Sequence, residues 1–341
     1  MIKRVKEFKP WLFLPTDIGH KFSPLILKAY GKLSSRRTYT WKPFSWKGLE
    51  FTNPLGIAGG FDKNAELIRE IWSLGVGFVE IGTVTPNHQK KNPGKTVARN
   101  VREQALWNQL GFPSQGADSV KKRLSGLKQP HFTPVFVNIG KNRDTPMERA
   151  CDDYVKLIQV FGEVADAFVI NISSPNTPHL RSLLSPEKLQ DFLAVIIEEN
   201  KVASIGTPTP ILLKLSPDMS DAELKKILDV SLEAGVDGWI LTNTTTSREN
   251  TSSFPSTGGV SGLPLREKSK QVLKTTIDHL GSNRQDKLIV SVGGVMTSHD
   301  VFERLEMGAD LVQVYSTLVF EGPFFFKKVF QDSLEFYKIN R

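Results

Sequence analysis

Ala167-Phe-Val-Ile-Asn-Ile-Ser-Ser-Pro-Asn-Thr177 is a short apolar run that stops abruptly in small hydroxyl and amide side chains. Phe168, Val169, Ile170 and Ile172 have the near-continuous apolar character of a strand buried on both faces, as in a parallel sheet. Pro175 ends it, because proline brings no N–H to a ladder. At and beyond the stop, Asn171, Ser173, Ser174, Asn176 and Thr177 offer many hydrogen-bonding groups and no permanent charge. That set suits a neutral or anionic planar ligand better than a metal. Taken alone, the stretch is best read as a strand and a polar turn; its recurrence along the chain gives it weight.

The same rhythm of strand, polar tip and helix repeats on both sides. Residues 54–60 run into Phe61-Asp62-Lys63, with a helix over 65–74, and residues 78–81 run into Gly82-Thr83-Val84-Thr85-Pro86. Residues 135–138 end in Gly140-Lys141-Asn142 with a helix over 147–161, and residues 210–214 end in Ser216-Pro217 with a helix over 221–234. Further on, residues 238–241 reach Thr242-Asn-Thr-Thr-Thr246, a Ser/Thr/Gly-rich loop covers 247–264, and a helix lies near 268–280. Residues 288–292 meet Gly293-Gly294, Thr297 to Asp300 offers a capping box, and residues 311–315 reach Ser316. The excursion over 87–130, with Leu106-Trp-Asn-Gln-Leu-Gly-Phe112, reads as an active-site loop rather than a barrel element. Eight such units predict an α/β fold, a (β/α)8 TIM barrel, whose strand tips converge on one face. An open dinucleotide fold would show Gly-x-Gly-x-x-Gly after an early strand, and none occurs there.

Composition narrows the classes. The 341 residues, 39% hydrophobic and 23% charged, suffice for a large core. One cysteine, Cys151, excludes an internal disulfide or a multi-cysteine cluster, and six scattered histidines lack ligand spacing, so no metal is expected. The net charge of +8 is concentrated: residues 1–37 carry nine Lys or Arg against Glu7 and Asp17, which leaves the remaining 304 residues at +1. Basicity confined to an arm argues against nucleic acid. No apolar run approaches the roughly 18 residues of a transmembrane helix, and Pro15 ends Trp11-Leu-Phe-Leu14 without a cleavage site, so secretion is not expected. Met1 to Phe8 can form a short basic helix; Thr16 or Asp17 can cap a second, whose Phe22, Leu25, Ile26, Ala29 and Leu33 fall at helical spacing. Such a helix packs on the body or lies in a membrane interface, and the local charge with Trp11, Leu12, Phe13 and Leu14 favours the interface. A helical extension over 1–40, a turn-rich linker near 34–48 and a barrel over 41–341 follow.

Several strand tips carry chemistry. Gly293-Gly294 and Tyr315-Ser316 end the seventh and eighth strands, the usual phosphate site of a barrel, and Gly262 lies in the preceding loop. Gly94-Lys-Thr96 is no P-loop, because Gln89 stands where the first glycine is required. Lys214, in a buried apolar strand, must be paired or functional; it is either a structural ion pair inside the barrel or a positive charge beside an anionic reduced flavin ring. Lys63 can serve that ring or a carboxylate, and Asn108, Asn171, Asn176 and Asn243 can read a ring with imide and carboxylate groups. Each asparagine taken singly is more simply a turn residue.

Ala58-Gly-Gly-Phe-Asp-Lys63, Glu80-Ile-Gly-Thr-Val-Thr-Pro86, Asn108-Gln-Leu-Gly-Phe112, Asn138-Ile-Gly-Lys-Asn142, Asn171-Ile-Ser-Ser-Pro-Asn-Thr177, Lys214-Leu-Ser-Pro-Asp218, Thr242-Asn-Thr-Thr245, Gly258-Gly-Val-Ser-Gly-Leu-Pro-Leu265 and Val292-Gly-Gly-Val295, in this order, resemble dihydroorotate dehydrogenase. The arm, Leu12-Phe-Leu through His20-Lys-Phe22, resembles the amphipathic extension of the membrane-associated, quinone-dependent class 2. The resemblance implies an FMN enzyme that oxidises (S)-dihydroorotate to orotate in de novo pyrimidine synthesis, passes electrons to a membrane quinone, and sits peripherally on the cytoplasmic face of the cell membrane, its N-terminal arm on the anionic membrane surface.

By matching position the resemblance makes Ser174 the base that takes the C5 proton while a hydride leaves C6; class 1 enzymes carry cysteine there, so the serine itself points to the quinone class. It assigns FMN to Gly59, Gly60, Phe61, Asp62, Lys63, Thr83, Asn138, Asn171, Lys214, Thr242, Gly262, Gly294, Tyr315 and Ser316. Substrate falls to Lys63, Asn108, Gln109, Leu110, Gly111, Phe112, Asn171, Asn176, Asn243 and Thr244. Two positions depart from the pattern: Gln109 stands where Arg or Lys is usual, and Ala58-Gly-Gly where Ala-Ala-Gly is common. The alternatives are another FMN-dependent barrel oxidoreductase and a membrane-recruited scaffold without enzymatic activity.

Overall fold

Eight parallel strands close into a barrel in the computed structural model, which describes residues 9–33, 38–204 and 206–339. A 3-10 turn, Pro10–Phe13, and helix α1 (Thr16–Leu33) precede a hairpin of β1 (Phe44–Trp46) and β2 (Leu49–Phe51). The chain then runs through β3 (Leu55–Ile57), α2 (Ile68–Trp72), β4 (Phe78–Val84), β5 (Val97–Asn100), β6 (Ala105–Asn108), α3 (Ala117–Ser125), β7 (Val135–Ile139) and α4 (Ala150–Phe161). Next come β8 (Ala167–Asn171), α5 (Pro186–Ala203), β9 (Ile211–Lys214), α6 (Asp221–Ala234), β10 (Gly238–Leu241), β11 (Gly259–Gly262) and α7 (Arg266–Leu280). Last are β12 (Leu288–Val292), α8 (Ser298–Glu306), β13 (Leu311–Val314), α9 (Ser316–Glu321) and α10 (Phe325–Ile339). Around the barrel the order is β3, β4, β7, β8, β9, β10, β12, β13, and β13 pairs back to β3 through Val312–Leu55, Gln313–Gly56 and Val314–Ile57.

The near-continuous apolar strands follow from burial on two faces. Outward residues such as Ile57, Ile81, Val137, Ile170 and Leu213 pack under the helices, and inward ones such as Phe78, Phe136, Val169 and Leu212 fill the barrel. The β1–β2 hairpin closes the bottom: Phe44 stacks on Phe51 at 4.7 Å, and Phe51 meets Phe78 and Phe136 edge-on at 6.1 and 6.3 Å. Because side chains alternate along a strand, the next inward residues above Phe78, Phe136, Leu212 and Leu311 are Glu80, Asn138, Lys214 and Gln313. An aromatic plug therefore carries a polar layer, and the cleft opens above it.

Helix starts obey local chemistry where the sequence signals it. Thr297 and Asp300 form the expected reciprocal capping box of α8, and Ser220 with Glu223 does the same for α6. The helix expected over 65–74 is shorter, Ile68–Trp72. Asp62 explains the delay: its carboxylate accepts the N–H groups of Asn64, Glu66 and Leu67 at 3.3, 2.9 and 2.7 Å, and Ala65 has φ 58°. The excursion over 87–130 is more than a loop, for it contains α3, which lies against α4 in the outer ring with Ala117, Val120 and Leu124 buried. Its other part, β5 and β6, pairs antiparallel with β11 from the 247–264 segment, a small sheet over the barrel mouth.

The arm is docked. The Trp11 indole donates to the Val319 carbonyl at 2.9 Å, Lys9 meets Glu321 at 2.6 Å, and Arg99 donates to the Leu12 and Leu14 carbonyls at 3.0 and 2.7 Å. Trp11 and Leu12 are half-buried, which corrects the expectation that both are outward-facing: the indole N–H finds a carbonyl on the body. Phe13, Phe22, Leu25 and Ile26 do face outward, at 79, 46, 59 and 57% exposure. The helix expected over Met1 to Phe8 lies outside the described residues. No helix among the described residues is long and apolar enough to cross a membrane.

Candidate active site

A cleft opens at the C-terminal ends of the barrel strands and runs out into solvent. Its floor is the polar layer. The Lys214 Nζ donates to both Glu80 oxygens at 2.8 and 3.1 Å, and Glu80 also accepts from the side-chain amides of Gln313 and Asn138 at 2.8 and 2.5 Å. Both charged groups are shut from water, Glu80 completely. Lys214 is thus a structural ion pair and a cleft residue at once. Glu80 and Gln313 were absent from the sequence-based site, although an acid inside an apolar strand carries the signal that singled out Lys214.

Above the floor the amides form one chain. The Asn171 side-chain N–H₂ donates to Thr83 at 2.9 Å and to the Asn138 oxygen at 3.2 Å, while the Asn171 oxygen accepts from Asn243 at 3.2 Å. Asn243 also donates to the Ser173 hydroxyl at 3.1 Å, and its own oxygen accepts the Thr244 N–H at 2.8 Å. Across the cleft Asn176 donates to the Asn108 side-chain oxygen at 3.0 Å. The buried Ser174 hydroxyl lines the same wall and accepts the Asn176 N–H at 3.2 Å. The loop after Asn108 is pinned by the Gln89 amide, which donates to the Gly111 and Phe112 carbonyls at 2.9 and 3.1 Å and holds Phe112 at φ 54°. That left-handed conformation costs a non-glycine residue about 1–3 kcal/mol, as is common at binding sites.

Lys63 lies half-buried on the wall, its Nζ on the Gly60 carbonyl at 2.5 Å, and burial lowers its pKa to about 8. At the far end Gly262, Gly293 and Gly294 all have positive φ, at 93, 113 and 67°. Side chains there are excluded sterically: a Cβ on Gly262 would lie 2.2 Å from the Gln104 carbonyl oxygen, and one on Gly294 2.2 Å from the Arg266 Cα. Tyr315 and Ser316, at the start of the short helix α9, complete that end.

Twenty of the expected site residues line this one cleft: Gly59, Gly60, Lys63, Thr83, Asn108, Leu110, Gly111, Phe112, Asn138, Asn171, Ser174, Asn176, Lys214, Thr242, Asn243, Thr244, Gly262, Gly294, Tyr315 and Ser316. Three do not. Phe61 packs edge-on to Tyr315 at 6.0 Å, Asp62 turns its carboxylate to backbone N–H groups, and Gln109 faces Thr257 at 3.4 Å. The donor set fits a flavin and a pyrimidine ring. Two buried carbonyl oxygens of cleft residues, on Asn176 and Gln313, have no hydrogen-bond partner, and an imide N–H would satisfy such an acceptor.

A family model for dihydroorotate dehydrogenase matches residues 44–336. A relative from Christiangramia forsetii, described as dihydroorotate dehydrogenase (quinone), is 38% identical and covers 96% of this chain and 97% of its own. A second of the same description, from Sulfurimonas denitrificans, is 41% identical over 98% of this chain and 94% of its own. Among solved structures, the dihydroorotate dehydrogenase of Eimeria tenella in complex with ferulenol superposes with a TM-score of 0.86 at 32% identity, covering 96% of this chain and 93% of that one. With matches that run nearly end to end and a barrel whose strand tips gather at one mouth, the chain belongs to the dihydroorotate dehydrogenase family, among its quinone-dependent members.

Proposed function

We propose that this enzyme carries out its family's reaction with FMN as the flavin and Ser174 as the base. The reaction itself is the oxidation of dihydroorotate to orotate in pyrimidine biosynthesis, with a quinone as electron acceptor. One observation carries the assignment: the Ser174 hydroxyl and the amides of Asn108, Asn171, Asn176 and Asn243 line a single cleft whose floor holds Lys214. A bound flavin supplies the two-electron acceptor for the hydride leaving C6. Ser174 Oγ takes the C5 proton as its own hydroxyl proton passes to water, and the four amides orient the ring beside it. Lys63 holds the substrate carboxylate, with the Asn108–Phe112 backbone closing over it to exclude water. Lys214 offers its positive charge to the reduced ring, and Glu80 fixes where that charge sits. Gly262, Gly294, Tyr315 and Ser316 receive the phosphate.

Residues 1–40 serve as the membrane-facing extension of a barrel over 41–341. The outward Phe13, Phe22, Leu25 and Ile26 enter the interface on the cytoplasmic face, with Lys28 drawn to anionic lipid. No metal takes part.

The test is optical. The purified protein should be yellow, yield FMN on extraction, and lose its flavin absorbance when dihydroorotate is added without oxygen. Ser174→Ala should keep the flavin and slow that bleaching by about two to four powers of ten, the usual contribution of a positioned base. Bleaching at the original rate in the alanine variant would remove Ser174 from the mechanism.

A further inference from the structure

Among the described residues Arg304 is the largest charged side chain wholly inside the protein, on α8 behind the Gly293-Gly294 turn. Its guanidinium meets only neutral acceptors. Nη1 donates to Ser291 at 3.3 Å; Nη2 donates to Ser269 at 2.8 Å, to the Arg266 carbonyl at 3.0 Å and to the Gly293 carbonyl at 3.2 Å; Nε is buried with no partner. The nearby acids are engaged elsewhere. Asp300 is bonded to Arg266 at 2.9 Å and to the N–H groups of Met296 and Thr297, Glu303 pairs with Lys270 at 2.5 Å, and the exposed Glu267 reaches Lys270 at 3.8 Å. Burial lowers its pKa to about 10 while Glu303, Asp300 and Glu267, near but not bonded to it, oppose part of the effect, so it stays charged near neutrality. No carboxylate among the described residues bonds the guanidinium directly, which leaves its charge open to an anion bound in the cleft.

The turn shows where that anion sits. Ser269 Oγ lies 2.6 Å from the Gly293 carbonyl oxygen, which Arg304 also contacts. A trans peptide is planar, with its C=O and N–H antiparallel. Drawing the Gly293 oxygen back toward α7 and α8 therefore aims the Gly294 N–H the opposite way. Among the described residues nothing accepts that N–H, and Gly294 lines the cleft. We propose that Arg304 is the counter-charge and positioning residue for the cofactor's phosphate: its charge acts through the Gly293–Gly294 peptide, whose N–H it presents to a phosphate oxygen. This rests on the FMN reading above.

Competition between FMN and its dephosphorylated form, riboflavin, isolates the phosphate. Holoenzyme is equilibrated with an excess of both, and the bound flavin is extracted and identified. Wild-type protein should retain FMN; a different native flavin would sink the FMN reading, and this inference with it, before any variant is compared. Arg304→Met should lower the FMN-over-riboflavin preference by about tenfold or more, the scale of a charge-assisted hydrogen bond, and Arg304→Lys should keep it within about threefold. A merely structural arginine weakens both flavins alike and leaves the ratio unchanged in Arg304→Met, which would overturn the proposal. If the methionine variant does not fold, Arg304→Gln, which keeps side-chain N–H donors without the charge, decides: a tenfold loss of the ratio supports the charge role, and an unchanged ratio ends it.

Discussion

Lys63 shows how one residue's environment becomes a pH dependence. Burial lowers its pKa from 10.5 to about 8, with Asp62 opposing part of the effect. If the charged form holds the substrate carboxylate, kcat/KM should fall roughly tenfold per pH unit above about 8, since that ratio reports the free enzyme. Folding has the opposite sign: the unfolded chain binds the extra proton between pH 8 and 10.5, so this lysine makes stability rise with pH across that window. Lys63→Gln should abolish the alkaline limb of the kcat/KM profile. A limb that persists in the variant assigns the titration to another group. Glu80 belongs to the same scale, because its carboxylate pairs with the Lys214 ammonium at 2.8 Å and fixes where that charge sits beneath the cleft.

At the scale of elements, Asp218 ties together segments that meet only at the mouth. Its oxygens accept from Arg181 at 3.1 Å, Lys268 at 3.1 Å, and Thr245 and Thr246, and Arg181 in turn donates to the Ser173 carbonyl at 2.9 Å beside Ser174. Burial opposes ionisation, yet the bonds from Thr245, Thr246 and Lys268 hold the pKa at about 2. A depressed carboxyl contributes stability above its unfolded value of 3.8 and loses it as pH falls from there to about 2. The contribution near neutrality is about 2 kcal/mol. Urea unfolding should show Asp218→Asn less stable by that order at pH 7, with the difference shrinking toward pH 3. A pH-independent difference would mean that the charge is not what matters. The β5–β6–β11 sheet is a second such device: Gly259-Val-Ser-Gly262 has weak intrinsic strand preference and pairs only because β6 is presented to it.

For the whole molecule, the two substrates come from different phases. Dihydroorotate reaches the mouth from water and the quinone from lipid, so an arm with the proposed membrane role would serve the second without blocking the first. Its contacts with the body run through Lys9, Trp11, the buried Leu27 and Tyr30, which meets Phe324 at 6.0 Å, and its exposed face carries Phe13, Phe22, Leu25 and Ile26 beside Lys28. Removing residues 1–37 should leave flavin reduction by dihydroorotate nearly unchanged, abolish binding to anionic vesicles and slow reoxidation by a long-chain quinone. Undiminished vesicle binding and quinone turnover in the truncated protein would make the arm a packing element alone.

Read by itself, the sequence determined the barrel, the order of its strands and most of the residues that line the cleft. Buried parallel strands need unbroken apolar runs, and each run here ends in the polar residues that the closed barrel brings to one mouth. These signals are local, spanning a few residues. Tertiary structure alone decided which charges neutralise each other and which edges pair. Glu80 meets Lys214 across 134 positions, Trp11 meets Val319 across 308, and α3 is a ring helix only because it lies against α4. Asp62, Phe61 and Gln109 sit inside site motifs yet turn away from the cleft, because backbone N–H groups and neighbouring side chains engage them first. Motif spacing places a residue near the mouth; the direction of its side chain is set by partners distant in sequence, whose approach depends on closure of the barrel.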